Sequence, residues 1–210
     1  MQRRLLSLAF LACLTSACSS TRYGDPESVE TVNIQYGLSD LQSLTGDMVE
    51  SLIAAPQLNY FMHPSKDGGD PRIVLYMGKV ENRTSEHIDT EGITDSMKTR
   101  LLKSGKFRLT AGTQGQAAIE DQVRFQQGSG KVLSDTAKAF GRQIGADMIL
   151  FGTLRTYEKE RDRSLSTLGT KTENVDYQFN LDLVNIETGE IIWADEALIR
   201  KTKKTGLFGS

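Results

Sequence analysis

Apolar residues recur along this chain with two different periods, and the alternation between those periods outlines a folded domain. In "SDLQSLTGDMVESL", Leu41, Leu44, Met48 and Leu52 fall on one helical face; Ser39 and Gln42 are placed to form a capping box, and Pro56 lies beyond the end. "PRIVLYMGKV" carries a continuous apolar run from Ile73 to Met77 between Pro71 and Gly78, the pattern of a strand buried on both faces. In "HIDTEGITDSMKTRLLKSGKF", Ile93, Met97 and Leu101 repeat every fourth residue. Asp89 and Glu91 sit at the positive end of that predicted helix, and Gly105 stops it. "FRLTA" alternates as a short strand. Ala118, Ile119 and Val123 predict another helix closed by "GSG", and Ser134 caps a further one carrying Ala137, Phe140 and Ile144.

"ADMILFGTL" is a second apolar strand that runs on into the charged "RTYEKERDRS". "YQFNLDLVNIETGEIIWADEALI" reads as a β-hairpin, with Phe179, Leu181 and Leu183 alternating against Gln178, Asn180 and Asp182 and with Thr188 and Gly189 at the turn. The order is helix, strand, helix, strand, two helices and three strands. It predicts an α/β sandwich of two or three layers, whose mixed sheet begins parallel and ends as an antiparallel meander. No repeat or low-complexity block interrupts it.

The N-terminal stretch obeys neither period. Arg3 and Arg4 precede an almost wholly apolar segment over 5–14, and the small residues Thr15, Ser16 and Ala17 lead to Cys18. This is the layout of a secretory signal peptide; about ten apolar residues are too few for a membrane-spanning helix, which needs roughly 20. The chain has two cysteines, and a Cys13–Cys18 disulfide would close inside an apolar segment. A cysteine directly after a small residue resembles the lipobox of bacterial lipoproteins, whose thiol is alkylated by diacylglycerol. Here Thr15 stands where leucine is usual, and Leu14 lies one place further back. The expected division is a signal peptide over 1–17, a lipidated cysteine and tether over 18–38, and a globular domain over 39–210. Ser19, not aspartate, follows Cys18, which points to the outer membrane, on its periplasmic face. Cleavage further along would instead remove both cysteines.

Composition narrows the function. The net charge is −2, and losing Arg3 and Arg4 with the leader takes it to −4, without the basic footprint that nucleic acid requires. Of two histidines, His87 lies near Ser85, Glu86 and Asp89, but no nucleophile elbow accompanies them. His63 adds no zinc-ligand spacing. "GSGK" at 128–131 departs from a phosphate loop at Phe125 and at Val132. No metal or cofactor is expected. Arg200, Lys201, Lys203 and Lys204 read as a solvated basic tail, with anionic lipid or glycan as the alternative. Tyr157 and Tyr177 read as partner anchors or as cross-strand pairs. The chain reads as a monomeric non-enzyme that acts by binding.

Two segments, "VENRTSEHIDTEGITDSMKTRLLKSGKFRLT" and "GADMILFGTL … YQFNLDLVNIETGEIIWADEALIRK", resemble the LpoB family. The matching elements are Asn82-Arg83-Thr84, Gly105-Lys106-Phe107, Gly145-Ala146 and Thr188-Gly189-Glu190-Ile191-Ile192-Trp193. The resemblance implies a fold like the N-terminal domain of TolB. It also implies an outer-membrane lipoprotein that docks on a class A penicillin-binding protein and raises glycan polymerisation and cross-linking. By position it carries Phe151, a tyrosine in well-known members, onto the synthase-binding face, with Asn82, Arg83 and Thr84 on the adjoining loop. The apolar run Met148-Ile149-Leu150 makes Phe151 equally a core candidate. A tether of about 20 residues, with Pro26 as its one proline, and the long charged hairpin over 155–177 depart from enterobacterial members. The curli secretion lipoprotein family CsgG shares the fold and "YQ … VN … TGEI", which implies an alternative role in envelope secretion. The charged stretch over 155–170 lacks the alternation of a membrane-spanning strand.

Overall fold

The computed structural model describes residues 33–61, 69–132, 145–163 and 169–206, with Asp25 and Ser28. Cys13, Cys18, His63 and the helix expected after Ser134 lie outside the described residues. A five-stranded sheet organises the rest, in the order β2-β1-β3-β4-β5. The strands are β1 (Ile73–Arg83), β2 (Phe107–Leu109), β3 (Met148–Arg161), β4 (Lys171–Asn185) and β5 (Ile191–Thr205). β1 pairs in parallel with β2 and with β3, whereas β3–β4 and β4–β5 are antiparallel. The sheet therefore begins parallel and ends as a meander, as the element order predicts.

Helices α1 (Leu38–Ala54) and α2 (Thr90–Lys103) pack on one face, here called the inner face. A 3₁₀ turn, Pro56–Tyr60, follows α1, and α3 (Thr113–Gly128) follows β2. The apolar stripes foreseen for α1 and α2 face the sheet: Leu44, Met48 and Leu52 with Ile93, Met97 and Leu101 are all buried. They meet Leu75, Met148, Leu150, Leu154, Phe179, Leu181 and Leu183 from the inner face. Each such side chain, fully buried, stabilises the fold by roughly 1.5–3 kcal/mol. Asp89 caps α2 by accepting from the N–H groups of Glu91 and Gly92, and Gly105 leaves the helix with φ 69°.

Four local expectations are corrected. α1 starts at Leu38 rather than behind a Ser39 cap. Its first turn is closed by Asp40, whose Oδ2 accepts from the Gly37 N–H at 2.8 Å, because that carboxylate is held in place from β5. β1 does not stop at Gly78: a register shift between Met77 and Val80 absorbs the irregularity, and the strand runs to Arg83. Only Ile73, Val74 and Leu75 are buried on both faces; Tyr76 is already exposed. The basic tail is not a solvated end, because Arg200 to Thr205 continue the β4–β5 ladder as far as Lys171. Asn82 and Arg83 are the last residues of β1 rather than part of the adjoining loop.

Candidate functional site

The outer face of the sheet carries Phe151 and Arg83, two of the four residues singled out for binding. Along β3, Phe151, Thr153, Arg155, Tyr157, Lys159 and Arg161 point outward in succession, because a strand alternates its side chains. The register sets Phe151 opposite Asp182, Arg155 opposite Gln178, Tyr157 opposite Asp176, Lys159 opposite Asn174 and Arg161 opposite Thr172. β5 completes these rows with Leu198, Arg200, Thr202 and Lys204.

Phe151 is therefore not a core residue. Inner-face Leu150 is 1% exposed and Phe151 is 38% exposed. Tyr76, at 37% exposure, pairs in register with half-buried Ile149, which in turn pairs with Val184. Tyr76, Ile149, Phe151 and Val184 form an apolar patch at one end of this face, and Tyr157 and Leu198 lie exposed further along it. Gly78 makes room for it: a Cβ there would lie 3.1 Å from the Phe151 Cβ and 3.2 Å from the Ile149 Cδ1. The β1 irregularity thus opens the surface beside the ring.

Of the loop residues carried over with Phe151, Arg83 shares this face. It is exposed, bound to Glu81 at 2.8 Å and in register with Arg155, four residues along β3 from the ring. Asn82 and Thr84 instead build the loop from within. The Asn82 Nδ2 donates to the Glu86 carbonyl at 2.9 Å, and its Oδ1 accepts from the Thr84 N–H and hydroxyl at 3.0 and 2.7 Å. The Glu86 N–H donates to the Thr84 Oγ1 at 3.1 Å. Their polar atoms are spent on fixing Glu86.

Glu86 faces a buried cluster that local patterns do not foreshadow. Its Oε2 accepts from the Tyr36 N–H at 3.0 Å, and its Oε1 accepts from the Tyr177 hydroxyl. Tyr177 is fully buried and meets Tyr36 edge-on, with ring centroids 5.6 Å apart. Burial, then the adjacent Glu86, push the Tyr177 phenol well above its ordinary range; burial, then Asp40, do the same for Tyr36. Beside them the Lys201 ammonium donates to Asp40 at 2.6 Å and to the Gln35 carbonyl at 2.5 Å. The segment 33–37 is thereby clamped where the chain enters the domain. One signal for this was readable: Tyr177 is in phase with Phe179, Leu181 and Leu183, hence on the inner face. Partners 91 and 161 residues apart left none.

Among the described residues, those around His87 do not come together as a catalytic set. The Ser85 hydroxyl donates to Glu158 at 2.7 Å and Asp89 caps α2, so neither is spent on the exposed His87. The "GSGK" segment is the end of α3, where Ser129 caps and Gly130 turns with φ 66°. Among the described residues no group of three or more His, Cys, Asp or Glu could hold a metal ion, and no helix is long and apolar enough to cross a membrane.

Residues 40–199 match the family model described as "Peptidoglycan-synthase activator LpoB". The chain is 25% identical over 139 residues to a protein of Cronobacter turicensis named "Penicillin-binding protein activator LpoB", covering 65% of this chain and 54% of the relative. The Escherichia coli K12 protein of the same name is 25% identical over 135 residues, covering 63% and 54%. The chain thus spans about half the length of the curated relatives it matches. Among solved structures it is similar to the LpoB C-terminal domain from Salmonella enterica, at 18% identity and a TM-score of 0.43, covering 77% of this chain and 99% of that one. The family match extends from the first turn of α1 to the middle of β5 and takes in every element described above: the chain belongs to the LpoB family.

Proposed function

We propose that this chain is an outer-membrane lipoprotein that binds a class A penicillin-binding protein and raises its activity, and that it has no catalysis of its own. The observation that carries this reading is the family match over 40–199, joined to an apolar patch at the position the family resemblance assigns to synthase contact. Such a protein changes the rate of another by binding its active state better than its inactive one. Phe151, with Tyr76 and Ile149 around it, is the anchor of that contact, and Arg83 supports it from the edge. Asn82 and Thr84 act by holding the loop beneath. The domain works as a monomer, needs no cofactor, and hangs from a diacylated Cys18 on the periplasmic face of the outer membrane.

The test is to measure melting and synthase affinity of Phe151→Ala together. A half-exposed ring contributes little to the core, so melting should stay within a few degrees. Affinity for the synthase should fall by about 2 kcal/mol or more, roughly thirtyfold. Unchanged affinity, with the fold intact, would remove Phe151 from the interface.

A further inference from the structure

The sheet does not end with the patch. Beyond Arg83, where β1 stops, β3, β4 and β5 continue as a three-stranded ribbon, and its two faces differ in charge. On the outer face the last rows hold Lys159, Arg161, Arg200 and Lys204 among neutral Thr172, Asn174 and Thr202. Asp176, the one carboxylate in those rows, is taken by Arg200 in a two-pronged pair at 2.6 and 2.9 Å. Lys159, Arg161 and Lys204 are exposed and make no ion pair among the described residues. The ribbon's carboxylates Glu158, Glu160 and Glu173 stand on the inner face, where Lys171 bridges Glu160 and Glu173 at 2.6 and 2.7 Å. Lys201 and Lys203 share that inner face with Lys171 and balance its carboxylates, so the ribbon's net positive charge lies on the outer side although the chain as a whole is acidic.

The position of this arm selects its occupant. The chain enters the domain through 33–37, clamped to Tyr177 and Lys201, which lie at the root of the ribbon. About fifteen residues separate Cys18 from that clamp and span at most about 50 Å. The patch around Phe151 lies ten residues back along β3, about 33 Å from Arg161. We propose that the outer face of the β3–β4–β5 ribbon docks on anionic lipid headgroups of the membrane that carries the anchor. This rests on the reading of Cys18 as the anchor. Each lysine or arginine near an anionic surface adds about 1 kcal/mol of attraction, screened within a Debye length of about 8 Å at physiological salt.

The experiment uses the full-length lipidated protein with Thr202→Cys, the one free thiol once Cys18 is acylated and the leader removed, labelled with an environment-sensitive dye. It is mixed with vesicles of phosphatidylcholine alone and of phosphatidylcholine with phosphatidylglycerol, and both flotation and dye emission are read. Docking predicts flotation with both vesicles and a dye shift with the anionic ones alone, reversed by high salt. The triple variant Lys159→Gln, Arg161→Gln and Lys204→Gln should weaken docking about fivefold per residue, on the order of a hundredfold in all. Flotation with anionic vesicles alone would sink the anchor and keep the docking surface. Flotation with both and equal dye signals would keep the anchor and overturn the docking surface, as would a shift that the triple variant leaves unchanged. Flotation with neither overturns both.

Discussion

Lys201 on β5 and Asp40 in the first turn of α1 form an ion pair at 2.6 Å with their side chains only 10% and 7% exposed. The same carboxylate closes the start of α1 through the Gly37 N–H, so one contact ties the edge of the sheet to the beginning of the helix that covers it. A charge left alone at such a depth costs far more than the pair contributes. Lys201→Met and Asp40→Asn should each lower unfolding stability by about 3–5 kcal/mol in denaturant titration. The double variant should lose clearly less than the two losses added together, because neither charge is then stranded. Additive losses would show that the two residues act independently.

Tyr36 and Tyr177 should make the fold sensitive to alkali. Both phenols are raised above their ordinary value of 10.0, so the fold favours the protonated form. Their contribution is complete below pH 10.0 and is lost as pH rises beyond it. In an ultraviolet titration, two of the six tyrosines should ionise only as the protein unfolds. The Tyr36 hydroxyl is buried and finds no hydrogen-bond partner among the described residues, so Tyr36→Phe should leave stability unchanged or raise it by about 1 kcal/mol. Tyr177→Phe strands Glu86 and should cost about 1–3 kcal/mol.

Gly152 faces the inner side of β3 where β4 comes close. A Cβ there would lie 2.3 Å from the Asn180 carbonyl oxygen and 2.6 Å from the Leu181 Cδ2, and the first of these is backbone that cannot swing away. Gly152→Ala should destabilise by at least about 1–3 kcal/mol, read as a drop in melting temperature. Gly69→Ala, with nothing within 4 Å of the new carbon and outside any helix or strand, is the matched control and should melt like the parent.

The anchor has its own measurement. Labelled palmitate should enter the full-length protein, vanish from Cys18→Ala and persist in Cys13→Ala. The opposite pattern would move the lipid to Cys13; label in neither single variant's parent would remove the lipoprotein reading altogether.

Periodicity in the chain determined a good part of this protein. Leu44, Met48 and Leu52, or Ile93, Met97 and Leu101, recur at helical spacing because a helix turns every 3.6 residues, and any core that accepts one of them accepts the rest. The same logic makes Phe179, Leu181 and Leu183 one face of a strand and Thr188 and Gly189 its turn, with Gly189 at φ 74°. Only the tertiary structure decided which way Phe151 points. Its neighbours Met148, Ile149 and Leu150 are all apolar, so composition carried no phase; the β3–β4 register supplies it by placing Leu150 opposite Leu183 and Phe151 opposite Asp182. The roles of Asp40, Glu86 and Lys201 were equally hidden. Each looks like an ordinary surface charge in its own segment and becomes a buried clamp only when strands and helices distant in the chain close around it. The segregation of charge on the ribbon has the same origin. "RTYEKERDRS" reads as mixed charge along the chain, and pleating sorts its alternate residues onto opposite faces.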